Sequence, residues 1–249
     1  MKKHISVLHC DRPDKRNLRN NSTVSELIVK KIKEYDPKIE TRISCIVVGE
    51  KPDLDSISAM VISGSGYDVD KISLAKYIWM KDAINLIRKT HEMEIPILGT
   101  CFGHQMLAVA FGADVYKMKR MNFGFEDVKI TGEFPFVDKS VNSFRGLFCH
   151  SYAVKRESLN DTINPLAVTM NGGDEVLTAI KINGRSSSMT YGVQFHPEMD
   201  NRDLQHYLDI EGDDIKRDRG GTFEGMDVDS DPSINNLVLA NFVKLALEK

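Results

Sequence analysis

The fold class is indicated first by the segment Pro96-Ile97-Leu98-Gly99-Thr100-Cys101-Phe102-Gly103-His104-Gln105. An apolar, strand-like run ends there, Cys101 follows at once, and a helical segment begins directly afterwards. Glycines stand two residues before and two residues after Cys101, which is the Gly-x-nucleophile-x-Gly pattern of a strand–turn–helix elbow with cysteine in place of serine. Elbows of this kind occur where a strand of an α/β sheet ends, so the stretch predicts both a sheet and a site at its edge.

Each position of the elbow has a chemical reason. The turn is too tight for side chains at residues 99 and 103, and the sulfur of Cys101 lies at a helix N-terminus, which favours thiolate over thiol. The backbone amide of Phe102 faces the same space and suits an oxyanion. A buried structural cysteine fits a bare Gly-x-Cys-x-Gly pattern equally well, so a second observation is needed to decide.

That second observation is Gly192-Val193-Gln194-Phe195-His196-Pro197-Glu198, a strand that ends in His-Pro-Glu. Side chains at positions i and i+2 of an extended segment point the same way, so Glu198 can reach the ring of His196. A cysteine, a histidine and a carboxylate that orients the histidine are the parts of a nucleophilic triad. The two motifs together therefore favour Cys101 as a nucleophile.

The order of predicted elements indicates an α/β fold. A capping box at Thr23–Glu26 opens a helix that Pro37 closes, and strands alternate with helices through the first half of the chain. The predicted strands there are 5–8, 43–48, 59–62 and 95–98. Two more helices are predicted after the first: one with apolar Leu74, Ile78, Ile84 and Ile87, and one over 103–111. This order predicts a doubly wound, mostly parallel sheet with helices on both faces.

The second half of the chain has strand candidates with few helices between them. They predict an antiparallel extension of the main sheet, and a final helix over 233–247 with Ser233 as its N-cap. Neither a linker nor a repeat interrupts the chain, so we expect a single domain over residues 1–249. The strand candidates are 125–130, 145–154, 176–182 and 189–195.

Composition excludes several classes of protein. The 249 residues are 41% hydrophobic, and their net charge of −3 argues against a disordered chain or a general nucleic-acid binder. No apolar run approaches the roughly 18 residues of a membrane span, and the start has no signal-peptide core, so we expect a cytoplasmic protein. The four cysteines form no CxxC pair, which argues against a zinc site or a disulfide framework.

The segment 199–232 stands out by charge. It has eleven acidic and four basic residues, a net charge of −7, and it follows Glu198 directly. We interpret it as an acidic insertion, a long loop that acts as a lid over the site or a docking surface for a basic partner; a tolerated surface insertion is nearly as plausible. An EF-hand is excluded because Pro232 and Val238 stand where that loop needs Gly and Glu.

These motifs resemble the class I glutamine amidotransferases, the triad-type glutaminase family. The resemblance rests on Gly-Thr-Cys-Phe-Gly-His-Gln at 99–105 and His-Pro-Glu at 196–198, and on Ser63-Gly64-Ser65-Gly66, which is similar to the family's oxyanion loop. Cys149-His150-Ser151-Tyr152 resembles the substrate-binding segment of anthranilate-synthase-type members. The loop departs from the family's usual Gly-Gly-Pro, although a backbone amide survives that change.

The resemblance implies a flavodoxin-like fold and a role for each matched residue. Hydrolysis of L-glutamine would proceed through a γ-glutamyl thioester, with ammonia passed to a separate synthetase partner because no synthetase domain is expected on this chain. Thiolate, imidazole and backbone amides suffice, so neither a metal nor an organic cofactor is implied. The implied residues are Cys101, His196 and Glu198 as the triad, Ser65 and Phe102 as oxyanion-hole amides, and Gly64, Gln105, Ser151 and Tyr152 as substrate contacts.

Two alternatives stay open at this point. One is a stand-alone hydrolase of another γ-glutamyl compound, which would use the same three side chains. The other is a regulatory module that has kept the fold and lost the activity.

Overall fold

The computed structural model describes residues 4–14, 21–184 and 188–249, and these residues form one nine-stranded sheet with helices on both faces. The strands are β1 (His4–His9), β2 (Thr41–Cys45), β3 (Ile57–Ile62), β4 (Ile97–Thr100), β5 (Val115–Ile130), β6 (Ser143–Val154), β7 (Ile163–Asn171), β8 (Asp174–Ile182) and β9 (Thr190–Val193). The helices are α1 (Val24–Tyr35), α2 (Lys71–Lys76), α3 (Ile78–Glu92), α4 (Phe102–Ala110), α5 (Asn201–Asp218) and α6 (Ser233–Leu247).

The strand order is β2-β1-β3-β4-β9-β8-β7-β5-β6. The first five strands of that order run parallel, and the remaining four continue the sheet in antiparallel pairings. The parallel part has the 2-1-3-4-5 order of flavodoxin-like folds, with β9 in the fifth place. The predicted fold class is therefore confirmed, including the antiparallel extension.

Two separate apolar clusters show that the sheet is wound on both faces. On one face, α1 and α6 cover the sheet with buried side chains such as Ile28 and Phe242. On the other face, α3 and α4 do so with Met80 and Leu107 among others. Helices on both faces bury the inner parallel strands almost completely, which is why β1 and β3 contain apolar runs rather than alternating residues. The edge strand β2 stays partly exposed.

Several predicted boundaries were wrong. β5 begins at Val115, ten residues before the predicted strand. β2 ends at Cys45, and residues Ile46–Val48 form a short 3-10 turn that Gly49 closes at φ 87°. The single helix predicted across Leu74 to Ile87 is two helices, because the backbone at Tyr77 is extended. At the last helix, Pro232 rather than Ser233 occupies the N-cap.

The prediction of a long loop over 199–232 was also wrong, because more than half of that segment is the helix α5. Asp200 caps the helix, with Asp203 completing a reciprocal capping box. Leu204 and Ile215 are buried against Phe123 of β5 in a third apolar cluster. The acidic segment is therefore a packed part of the domain.

β7 was absent from the predicted strands. It contains Pro165, a residue that usually indicates an edge or the end of a strand. The structure accommodates Pro165 with register shifts in the pairing of β7 with β8 on either side of Ala167. None of the helices that the structure describes combines the length and apolar composition of a membrane span.

Candidate active site

The two motifs meet because their strands are neighbours in the sheet. Gly99 of β4 pairs with Gly192 of β9, and Thr100 pairs with Val193. The backbone amide of Cys101 then donates to the carbonyl of Val193 at 2.8 Å. Both chains leave the sheet at the same carboxyl edge, where open α/β sheets place their sites.

The elbow holds Cys101 in a backbone conformation that non-glycine residues rarely adopt, with φ 50° and ψ −104°. The flanking glycines make the turn possible: a Cβ on Gly99 would lie 2.4 Å from the carbonyl oxygen of Gly103, and a Cβ on Gly103 would lie 2.4 Å from that of Ile62. Close packing of backbone against backbone therefore requires glycine at both positions. Phe102 is the first residue of α4, so its amide has no acceptor within the helix.

His196 and Glu198 form a buried pair. The Nδ1 of His196 lies 2.7 Å from Oε1 of Glu198, and Glu198 is fully inaccessible to solvent. The backbone of His196 is held on both sides: its amide donates to the carbonyl of Leu147 at 2.8 Å, and its carbonyl accepts from the side chain of Asn235 at 2.9 Å. The ring is thus fixed both by a carboxylate and through its own backbone.

The charges around His196 favour its protonated form. Burial alone would lower the pKa of His196, but the nearby Cys101 sulfur and the Glu198 carboxylate outweigh burial and raise that pKa well above its ordinary value. Cys101 and His196 are therefore close enough to interact electrostatically and by a hydrogen bond. An imidazolium beside a sulfur is the arrangement that stabilises a thiolate.

A cavity of about 270 Å³ opens onto Cys101 and His196. Five of the other residues that the sequence analysis selected line it as well. Glu198 lies behind His196 rather than on the cavity wall, and Gly64 stands so close that a Cβ there would lie 3.0 Å from Cε1 of His196. The five lining residues are Ser65, Phe102, Gln105, Ser151 and Tyr152.

Gln105 lines the cavity and also forms hydrogen bonds to other residues of the site. Its side-chain nitrogen donates to the carbonyl of Tyr152 at 2.8 Å and to the side-chain oxygen of Gln194 at 3.2 Å. The first of these bonds ties α4 to β6, the strand that holds the segment similar to the family's substrate-binding segment. The contacts of Gln105 therefore explain how the cavity wall is held in place.

The loop after β3 is held by side-chain contacts. The hydroxyl of Ser65 donates to the carbonyl of Cys10 at 2.7 Å and accepts from the amide of Tyr67 at 3.0 Å. The amide of Gly66 donates to the carboxylate of Asp11 at 2.8 Å. These bonds fix the backbone around Ser65 beside Cys101.

Several residues of the site were not among the candidates predicted from the sequence. The side-chain nitrogen of Gln194 lies 3.7 Å from the sulfur of Cys101. Asp68 lines the cavity and accepts a hydrogen bond from the hydroxyl of Tyr152. Tyr207 and Glu211 reach the cavity from α5. Of these, only Gln194 had a sequence signal, its place two residues before His196 on the strand that ends in His-Pro-Glu.

The other cysteines differ from Cys101 in their surroundings. Cys10 is fully buried, and burial raises the pKa of its thiol. Cys149 does line the cavity, and its carbonyl oxygen lies 3.8 Å from the sulfur of Cys101. It stands within strand β6, so it lacks the strained elbow and the helix N-terminus of Cys101. Within the described ranges, no three His, Cys, Asp or Glu side chains cluster as metal ligands would.

Comparison with known proteins shows which family the chain matches. Residues 18–211 match the family described as glutamine amidotransferase class-I. The chain is 30% identical over 153 residues to the carbamoyl phosphate synthase small chain of Zymomonas mobilis, covering 61% of this chain and 34% of that protein. It is 29% identical over 180 residues to the glutamine-hydrolyzing GMP synthase of Oleidesulfovibrio alaskensis, covering 72% and 31%. The chain thus spans about a third of the length of these relatives.

Solved structures share the fold at lower identity. A glutamine amidotransferase from Thermotoga maritima superposes with a TM-score of 0.74 at 20% identity, covering 99% of both chains. A glutamine amidotransferase from Methylobacillus flagellatus gives 0.71 at 13% identity, covering 98% of this chain and 95% of that one. At these identities the two superpositions support the architecture alone.

Proposed function

Because the chain belongs to the glutamine amidotransferase class-I family, we propose that it hydrolyses L-glutamine to glutamate and ammonia with Cys101 as the nucleophile. One observation carries this proposal above the others. Cys101 stands in a strained elbow at a helix N-terminus. His196, which pairs with Glu198 at 2.7 Å, is close enough to Cys101 to interact with its sulfur and to exchange protons with a group bound there.

The reaction would proceed in two halves. The Cys101 thiolate attacks the side-chain amide carbon of glutamine, and His196 donates its proton to the departing nitrogen, which leaves as ammonia. The γ-glutamyl group is then bound to Cys101 as a thioester. In the second half His196 takes a proton from water, the water oxygen attacks the thioester carbon, and glutamate leaves as the Cys101 sulfur is released.

In this mechanism Glu198 is a positioning residue and the backbone amides stabilise charge. Glu198 holds Nδ1 of His196, which leaves Nε2 for the chemistry, and its negative charge stabilises the imidazolium. The amides of Ser65 and Phe102, whose residues line the cavity beside Cys101, would bind the oxyanion of each tetrahedral intermediate. Gly64, Gln105, Ser151 and Tyr152 would shape and line the place of the substrate.

We further propose that the ammonia passes to a synthetase partner. The support is that the curated relatives carry the names carbamoyl phosphate synthase small chain and glutamine-hydrolyzing GMP synthase. Ammonia released into a cavity of about 270 Å³ needs an acceptor close by if it is to be used before it diffuses away. Purification of the tagged chain from its native cells, followed by identification of proteins in stoichiometric amounts, tests this part.

A glutaminase assay with cysteine variants tests the central proposal. We expect Cys101→Ala to lose glutamine hydrolysis by several orders of magnitude while it keeps the fold, because the covalent route is lost. Cys10→Ala and Cys45→Ala serve as matched controls and should keep most of the activity. An active Cys101→Ala protein would contradict the mechanism. Hydrolysis of other γ-glutamyl amides in place of glutamine would support the stand-alone hydrolase instead.

A further inference from the structure

Gln194 is a fully buried residue whose side chain faces the sulfur of Cys101. It follows the last residue of β9, and its backbone amide donates to the carbonyl of Thr178 on β8 at 2.8 Å. Its side-chain nitrogen lies 3.7 Å from the sulfur, within reach of an N–H···S hydrogen bond because sulfur is a large atom. None of the steps of the proposed hydrolysis uses this side chain.

A chain of two amides sets which end of the Gln194 side chain meets the sulfur. The carbonyl oxygen of Tyr152 can only accept a hydrogen bond, and it lies 2.8 Å from the side-chain nitrogen of Gln105. The same nitrogen of Gln105 lies 3.2 Å from the side-chain oxygen of Gln194. Because this donor holds the oxygen of Gln194, the NH₂ group is the end that faces Cys101. The backbone of Tyr152 thus fixes, through Gln105, a hydrogen-bond donor at the sulfur.

The polar neighbours of the sulfur differ in the form of Cys101 that they stabilise. The carbonyl oxygen of Cys149, 3.8 Å away, can accept a hydrogen bond from the thiol but repels the thiolate. An imidazolium at His196 and the N-terminus of α4 favour the thiolate. The N–H of Gln194 does so as well, because a hydrogen bond becomes stronger when its acceptor is ionised.

Burial increases the effect of this donor. Cys101 is 5% exposed, and both glutamines of the amide chain are buried as well. Water therefore competes little for the sulfur or for the amides, and hydrogen bonds to a charged group are stronger where the local dielectric is low. A neutral amide in this place adds to the stability of the thiolate without adding a charge to the site.

We propose that Gln194 stabilises the thiolate of Cys101 by donating a side-chain N–H to the sulfur, with Gln105 as the positioning residue that orients the amide. This inference rests on the proposed role of Cys101 as the nucleophile. It adds a third source of stabilisation to those of His196 and the helix N-terminus. It also gives Gln105 a task in the enzyme before any substrate has bound.

The pH profile of Cys101 alkylation tests the role of Gln194. Iodoacetamide reacts with the thiolate and needs no bound substrate, and mass spectrometry follows the reaction on the peptide that contains Cys101. Gln194→Met keeps the length of the side chain and removes the donor. We expect its profile to move to higher pH, so that alkylation on the rising part of the profile slows about tenfold, the effect of one lost charge-assisted hydrogen bond. At high pH, where both proteins carry the thiolate, the two rates should be equal.

Gln105→Met tests the amide chain from its other end. Without the orienting donor the amide of Gln194 is free to turn, so the profile should move in the same direction by a smaller amount. Thr178→Val is the matched control. Thr178 is fully buried next to Gln194, and its hydroxyl has no hydrogen-bond partner within the described part of the chain. This variant should keep the wild-type profile.

A wild-type profile in Gln194→Met, or a loss of rate that is equal at every pH, would overturn this inference, and so would a shift of the same size in Thr178→Val. If Gln194→Met does not fold, Gln105→Met decides, and a wild-type profile in that variant overturns the inference. These outcomes leave the proposed hydrolysis intact if the wild type turns over glutamine. A wild type that fails to hydrolyse glutamine would overturn the proposed function, whereas the alkylation profiles would still decide the role of Gln194.

Discussion

The Nδ1 atom of His196 lies 2.7 Å from Oε1 of Glu198, in a place where Glu198 has no contact with solvent at all. A carboxylate at full burial is unfavourable unless a partner compensates its charge. The carboxylate of Glu198, together with the sulfur of Cys101, raises the pKa of His196 and so favours the imidazolium that supplies the opposite charge. The contact also fixes the orientation of the ring, since Nδ1 is occupied and Nε2 is the nitrogen left for Cys101. The contact with Glu198 therefore sets both the protonation state and the ring orientation of His196, the proposed acid and base.

Glu198→Gln should reduce kcat for glutamine less than His196→Ala does. Glutamine at this position keeps the packing and loses only the charge, whereas alanine at position 196 removes the group that moves protons. In comparable triads the loss differs by one to two orders of magnitude, and we expect a difference of about that size. Steady-state kcat values for both variants check the order, and a reversed order would mean that the two roles are misassigned.

Gly99→Ala should destabilise the fold severely. The added Cβ would lie 2.4 Å from the carbonyl oxygen of Gly103 and 2.7 Å from a methyl group of Leu107. We expect a cost of about 3 kcal/mol or more in the free energy of unfolding, because overpacking against backbone has little room to relax. Denaturant titration measures this quantity.

Gly212→Ala is the control for that substitution. It lies inside α5, where the nearest atom to an added Cβ is Cζ of Phe223 at 4.0 Å. Because alanine is the better helix former, we expect a gain of about 0.5–1 kcal/mol. Equal effects of Gly99→Ala and Gly212→Ala would contradict the close backbone contact at the elbow.

His104 should make the protein less stable as the solution becomes acidic. Burial lowers the pKa of His104 to about 4 from 6.5, so the unfolded chain binds a proton between these values while the folded chain does not. Stability therefore falls as the pH drops below 6.5, by about 3 kcal/mol in total once the pH reaches 4. The free energy of unfolding of wild type and His104→Leu should diverge over this window, with the flatter profile in the variant. Parallel profiles would show that His104 is not buried as the structure has it.

Leu204→Ala should destabilise the protein by about 2–5 kcal/mol, as truncation of a buried leucine does. Leu204 is fully buried between α5 and β5, so its loss leaves a cavity in the apolar cluster. Ile210→Ala on the same helix is the control: Ile210 is 49% exposed, and its truncation should change stability by no more than about 0.5 kcal/mol. Thermal and denaturant unfolding of both variants would decide whether the acidic segment is packed; equal, small effects would mean that it is not.

The elbow and the His-Pro-Glu strand could be predicted because their contacts are local. Gly99 and Gly103 are spaced so that two backbones touch, and His196 and Glu198 meet across one intervening residue. Both relationships involve residues that are only a few positions apart in the sequence. The placement of both motifs at strand ends was predicted as well, whereas the pairing of β4 with β9 comes from the structure.

The remaining parts depend on contacts that sequence spacing does not encode. In α5, Leu204, Leu208 and Ile215 do follow a helical pattern, but the eleven acidic residues of the segment 199–232 favoured the prediction of a loop. β7 was absent from the prediction because Pro165 interrupts it. The reach of Glu211 into the cavity depends on how α5 packs on β5, which only the tertiary structure shows.

Trapping the covalent intermediate is the sharpest test of Cys101 as the nucleophile. The protein is mixed with glutamine, quenched in acid within its turnover time, digested, and analysed by peptide mass spectrometry. We expect one γ-glutamyl adduct on the peptide that contains Cys101, and none on the peptides that contain Cys10, Cys45 or Cys149. Active protein whose adduct lies on another residue, or whose turnover continues in Cys101→Ala, would contradict it.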